Sequence, residues 1–134
     1  MTAESTIGAL IARIAWDHDH CAGRGVANFF TDEGIYLPPV GAPIHGKAAI
    51  AHFFRSRELG DRIARHMITN VVILEEHDLE ISVASIMTVY AGNGPGPHSA
   101  TPSVVLDCLD SFERVKSEWL INCRRLNIVF RTMS

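Results

Sequence analysis

The chain has 134 residues, the usual size of one domain, and at 47% hydrophobic and 20% charged it has enough apolar material for a core. Twelve basic against fifteen acidic side chains leave a net charge of −3, with histidines neutral, so there is no basic excess to offset the phosphates of a nucleic acid. No apolar run approaches the roughly 18 residues of a membrane helix, and Met1 to Ile7 carries Glu4 without a basic cluster, so neither a membrane partner nor a secretory signal is expected.

In chain order, Ile7, Leu10, Ile11 and Ile14 fall at i, i+3, i+4 and i+7 and predict a first amphipathic helix. Asp19 reads as the N-cap of a second, short helix with Val26, Phe29 and Phe30 on one face. Thr31-Asp32-Glu33-Gly34 is turn material, and Ile35-Tyr36-Leu37 is a short strand stopped by Pro38-Pro39. A third helix is predicted from about Lys47 to Leu59, with Ile50, Phe53 and Phe54 inward and Gly60 as its stop. Four long strands follow, Arg62–Leu74, Glu80–Tyr90, Ser103–Phe112 and Trp119–Phe130, rich in Val, Ile and aromatics and joined largely by short loops. Helices first and an antiparallel meander afterwards mean one α+β domain over residues 1–134, in which the sheet curls around its covering helices and leaves a pocket at the open end. Cys21, Cys108 and Cys123 are odd in number and form no C-x-x-C pair, so small buried hydrophobes in a reducing cytoplasm are expected and no disulfide.

Three segments carry a resemblance. Ala15-Trp16-Asp17 resembles the aromatic–aspartate pair of scytalone dehydratase and its relatives. Phe29 to Tyr36, leading to Gly46-Lys47-Ala48-Ala49-Ile50, is similar to a strand followed by a G-x-x-A-I helix start. Arg65-His66-Met67-Ile68-Thr69-Asn70 looks like an R-H-x-x-T-N strand. The ordered set resembles the SnoaL-like members of the nuclear-transport-factor-2-like superfamily, which implies a cone-shaped curved sheet, antiparallel or mixed, wrapped around N-terminal helices in a cystatin-like architecture. That superfamily includes dehydratases, ketosteroid isomerases, polyketide cyclases, epoxide hydrolases and dioxygenase small subunits, so fold leaves chemistry open.

The resemblance to scytalone dehydratase implies that Asp17 orients His66, which moves protons during loss of water. A histidine titrates near neutrality, and a partly buried carboxylate fixes its tautomer and raises its basicity. The plainer reading makes Asp17 a cap and His66 a satisfied core residue. Trp16, Tyr36, Phe54, Ile68, Tyr90 and Asp107 are the expected substrate contacts. The sequence departs from that enzyme at Trp16, where the family has a tyrosine, and near Tyr90, where it has a second histidine. Pro38 stands where a ketosteroid isomerase carries its aspartate base and cannot take a proton. An epoxide-hydrolase cluster of Asp17, Arg124 or Arg125, and Asp107 lacks its strand arginine, since Val105 is there.

The run Asp17-His18-Asp19-His20 falls where one helix is expected to end, so its side chains diverge and no metal is expected. The Gly/Pro-rich stretch Ala91 to His98 lacks phosphate-loop spacing and reads as a hairpin loop. The leading expectation is a lyase or isomerase without cofactor, acting on a small hydrophobic, cyclic or aromatic molecule. The other is a non-catalytic binding or assembly module resembling a dioxygenase small subunit, its cone filled by its own side chains. Apolar residues on both faces of two strands favour a homo-oligomer, dimer or trimer, in either case.

Overall fold

The computed structural model describes residues 2–57 and 60–132. Helix α1 (Ala3–His20) leads through a 3-10 turn (Val26–Phe29) into β1 (Phe30–Leu37), β2 (Ile44–His45) and α2 (Lys47–Ser56). The long strands β3 (Arg62–Glu76), β4 (Glu80–Asn93), β5 (Val104–Val115) and β6 (Glu118–Arg131) complete the chain. They form the expected antiparallel meander, and β1 adds parallel to β6 to give a curved mixed sheet in the order β2-β1-β6-β5-β4-β3. The architecture is α+β, helices packed on one sheet. No helix among the described residues is long and apolar enough to cross a membrane.

The first helix forms where the apolar stripe requires it. The Thr2 hydroxyl accepts from the Ser5 N–H at 3.1 Å, and Glu4 in the first turn is favourable to the helix dipole. Ile7, Ile11 and Ile14 are buried, with Leu10 at the margin. The helix does not stop before Asp19. It continues to His20, so Asp19 is inside α1 instead of capping a second helix, and Val26–Phe29 make only a 3-10 turn. Likewise α2 ends at Ser56; Leu59, the expected end, lies outside the described residues.

The sheet curls with the help of bulges. In β3 the register shifts between Thr69 and Val72, around Asn70, whose φ is 53°. In β6 the pairing passes over Asn122, so that Ile121 and Arg124 are both buried although three residues apart. The loop after β4 is tied down by the Gly94 N–H donating to the Asp61 carbonyl and by His98 folding back on Gly94.

Along the inner face, β4, β5 and β6 pass from solid core to a polar middle and then to a cavity. Ile81 and Val83 of β4, Phe112 of β5, Ile121 of β6 and Phe30 of β1 are buried in the core with the α1 isoleucines. Ser85, Cys108, Asp110 and Arg124 make the middle layer. Arg124 donates to Asp110 through Nε at 2.7 Å and Nη2 at 3.0 Å, a bidentate pair with both side chains almost fully buried. Burial pulls the Arg124 pKa down, but the adjacent Asp110 carboxylate outweighs it and the net shift is upward. Burial also pushes the Cys108 thiol up to about 12, so it stays protonated beside Asp110.

Removing one partner leaves the other charge buried and uncompensated. Arg124→Met is expected to lower unfolding stability by about 3–5 kcal/mol, while Arg124→Met with Asp110→Leu recovers most of that loss. Urea unfolding of the three proteins measures it; equal stability of the single variant and the parent would show that the pair contributes nothing.

Candidate active site

Successive helical residues are about 100° apart, so the last turn of α1 turns Asp17 toward Gly25 while it brings His18 and Asp19 to His66. Asp17 accepts the Gly25 N–H at Oδ1, 3.1 Å, while its own carbonyl accepts from Cys21 N–H at 2.8 Å. A Cβ at Gly25 would lie 2.5 Å from Asp17 Oδ2, so only glycine leaves room for this closure of the helix end. Trp16, 58% exposed, stacks on His20 with centroids 3.8 Å apart.

Asp19 reaches the sheet. Its Oδ1 lies 2.6 Å from His66 Nδ1, and both its oxygens accept the His66 backbone N–H, at 3.0 and 3.1 Å. The side chains are 7% and 15% exposed for Asp19 and His66. The Asp19 carboxylate oxygen accepts from Nδ1, which leaves Nε2 as the ring nitrogen that Asp19 does not touch. The pairing expected of Asp17 and His66 is therefore made by Asp19. The aromatic–aspartate pair at the site is His18-Asp19, two residues beyond Trp16-Asp17, because α1 runs a half-turn further than expected.

His18 adds a second imidazole that sequence reasoning missed. Its ring stacks on His66 at 4.9 Å and 28° and meets the edge of Phe54 at 5.1 Å. Burial, then the charges of His66, Arg124, Arg57 and Arg62, push its pKa from 6.5 to about 3, so it is neutral at physiological pH.

These groups border a cavity of about 470 Å³. Its inner surface is apolar, from Phe54, Met87, Val89, Leu106 and Leu126, with Tyr36 among them. Tyr36 is 5% exposed and held between Phe53 and Phe54, at 5.7 and 5.5 Å. Burial raises its pKa, which Arg124 and Arg57 only partly oppose, so the phenol keeps its proton and can donate it in a hydrogen bond. Tyr36 and Phe54 thus line the cavity as expected, and four expected contacts do not. Trp16 stands outside on His20. Ile68 faces inward beyond His66 but packs against the core. Tyr90 pairs with exposed Arg65, and the cavity residue of that strand end is its neighbour Val89. Asp107 is exposed, opposite Ile86 and Asn127, because the inward set of β5 is Leu106, Cys108 and Asp110.

A histidine held neutral makes folding sensitive to acid. The unfolded chain binds a proton at His18 near pH 6.5 and the folded chain only near 3, so this contribution is complete above 6.5 and is lost as pH falls toward 3, at about 1.4 kcal/mol per pH unit. Between pH 6.5 and 4.5 the parent should lose about 2 kcal/mol more stability than His18→Gln. Urea titrations at the two pH values measure it, and parallel losses would remove His18 from the acid response.

A family model for the SnoaL-like domain matches residues 1–125. Solved structures superpose over nearly the whole chain. Aln2 from a Streptomyces species is 18% identical with a TM-score of 0.81, covering 96% of this chain and 93% of its own. A candidate scytalone dehydratase from Novosphingobium aromaticivorans is 15% identical, also at 0.81, covering 96% and 85%. A Catenulispora acidiphila protein in complex with the small molecule S-DNPA is 21% identical at 0.76, covering 92% and 91%. No curated protein sequence matches the chain. With the family model spanning all but the last residues of the chain and the same fold in these structures, the chain belongs to the SnoaL-like family.

Proposed function

We propose that the protein is a cofactor-independent lyase or isomerase of the dehydratase type, acting on a small, mostly apolar cyclic or aromatic ketone, with His66 as general acid and base and Asp19 as the residue that orients it. The observation that carries this reading is the 2.6 Å contact between Asp19 and His66 Nδ1 at the wall of a 470 Å³ cavity. The candidate scytalone dehydratase among the similar structures agrees with it.

The step follows from the arrangement. Nε2 takes a proton from the carbon next to the substrate carbonyl, and the imidazolium that forms is stabilised by Asp19. Tyr36 donates to the carbonyl oxygen, where negative charge develops. The electrons of the broken C–H bond form the new double bond as the β-hydroxyl leaves, and that oxygen takes the same proton back from Nε2 to depart as water. One base thus serves both halves of the step, as syn elimination requires. Proton transfer of this kind contributes about 10²–10⁴-fold, with the remainder from holding the substrate in a dry cavity.

The filled-cone module is the weaker reading because the cavity is open. The proposed homo-oligomer has a surface to use, since Met67, Val72, Leu74, Leu109, Val129 and Phe130 are exposed on β3, β5 and β6. A cytoplasmic setting agrees with three cysteines, all free.

Conversion of 3-hydroxy-1-tetralone to 1-naphthol and water, followed by naphthol fluorescence, tests the reading. His66→Ala is expected to abolish turnover and Asp19→Asn to lower kcat by about 10²–10⁴-fold. Asp17→Asn is expected to keep kcat within a few-fold, because that carboxylate only closes the helix end. A parent protein no faster than buffer would sink the dehydratase assignment, and an Asp17→Asn loss equal to that of Asp19→Asn would sink the choice of aspartate.

A further inference from the structure

The cavity is chemically graded. Its depth is apolar, but its mouth carries Arg24, Arg57 and Arg62, all exposed. Among the described lining residues the one carboxylate is Asp19, which is engaged by His66. The concentration is contrary to the balance of the chain, which is −3. Two of the arginines are placed by the ends of neighbouring elements. Arg57 is the C-cap of α2, its guanidinium 5.3 Å over the Phe53 ring, next to Phe54 of the cavity wall. Arg62 opens β3, opposite Asn93, four residues before His66. Among the described residues neither Arg57 nor Arg62 makes an ion pair, and both bear electrostatically on His18 inside the cavity.

Resting on the reading of this cavity as the substrate site, we propose that the substrate carries a carboxylate on its apolar ring system, and that Arg57 and Arg62 hold that carboxylate at the mouth while the rings fill the interior. Guanidinium groups present paired N–H donors that match a carboxylate. A charged group anchored at the rim fixes which way round the rings enter, and so which carbon meets His66 Nε2. It also keeps the charged end in water, where it needs no desolvation, and reserves the apolar depth for the reacting ketone.

The test uses 2-naphthylacetate and 2-naphthylacetamide, which share a ring system and differ in charge. Isothermal titration calorimetry at low salt is expected to give the acetate at least about tenfold tighter binding, with the preference shrinking as salt is raised. In Arg57→Gln with Arg62→Gln the acetate should fall to the affinity of the amide. Equal binding of the two probes by the parent, or a preference that survives in the double variant, overturns the carboxylate proposal while leaving the cavity as a binding site. Failure of both probes to bind the parent overturns the cavity reading and this inference together.

Discussion

Among the described residues the carboxylate of Asp19 takes its hydrogen bonds from His66, and much of the site depends on that. A helix can slide or rotate on a sheet when only apolar side chains hold it. The α1 isoleucines supply such contacts, with adhesion but little direction. The last turn is different, because Asp19 must meet both the backbone N–H and the ring of His66. That requirement sets how far α1 advances along β3 and which side of its last turn faces the strand. It also determines the imidazole tautomer, so position and protonation follow from one contact. A loss of that contact would release the helix end and scramble the base together.

A hollow end needs a firm floor. The inner face of this sheet is solid at one end and open at the other, and the boundary is the polar layer of Ser85, Cys108, Asp110 and Arg124. Ser85 lies opposite Cys108, and Arg124 lies between Asp110 on one side and Tyr36 on the other. A buried guanidinium with a bidentate partner has few alternative placements, so it fixes the register of β1, β5 and β6 beneath the cavity. Well-packed apolar residues would serve stability as well or better. The benefit of the charge pair is placement: Tyr36 stands directly across from Arg124, in a parallel pairing that a slip of one residue would turn to the outer face.

The parts of this fold written in periodicity were legible. Four long β-branched stretches gave four long strands, and the stripe from Ile7 to Ile14 gave the core face of α1. His66 was named by the R-H-x-x-T-N resemblance, and it lies on β3 against the end of α1. The aspartate could not be placed, since choosing between Asp17 and Asp19 requires knowing where α1 ends. Two residues of helix turn a side chain through about 200°, from the sheet to the opposite side. No local signal stops the helix at Asp17, and Gly23 comes too late to decide. Arg124 was hidden for a related reason: the bulge at Asn122 breaks the alternation of β6, so simple period-two counting does not put both Ile121 and Arg124 on the inner face. Asp107 and Tyr90 were each misplaced by one position on their strands, the smallest error a period of two allows and one that reverses the face.

The two stacked imidazoles divide the proton between them unequally, and the division suits the proposed step. A proton on His18 would sit 4.9 Å from a neighbouring ring, in a buried position, facing the charges of Arg124, Arg57 and Arg62. A proton arriving at His66 Nε2 meets Asp19 across the ring instead. Neutral His18 therefore lies against the His66 ring without competing for its proton. The cations at the mouth strengthen that asymmetry, since they oppose any charge on His18. An anionic substituent bound among them would sit beyond the rings it belongs to, leaving the carbonyl between Tyr36 and His66 as the place in the cavity where charge is created and met.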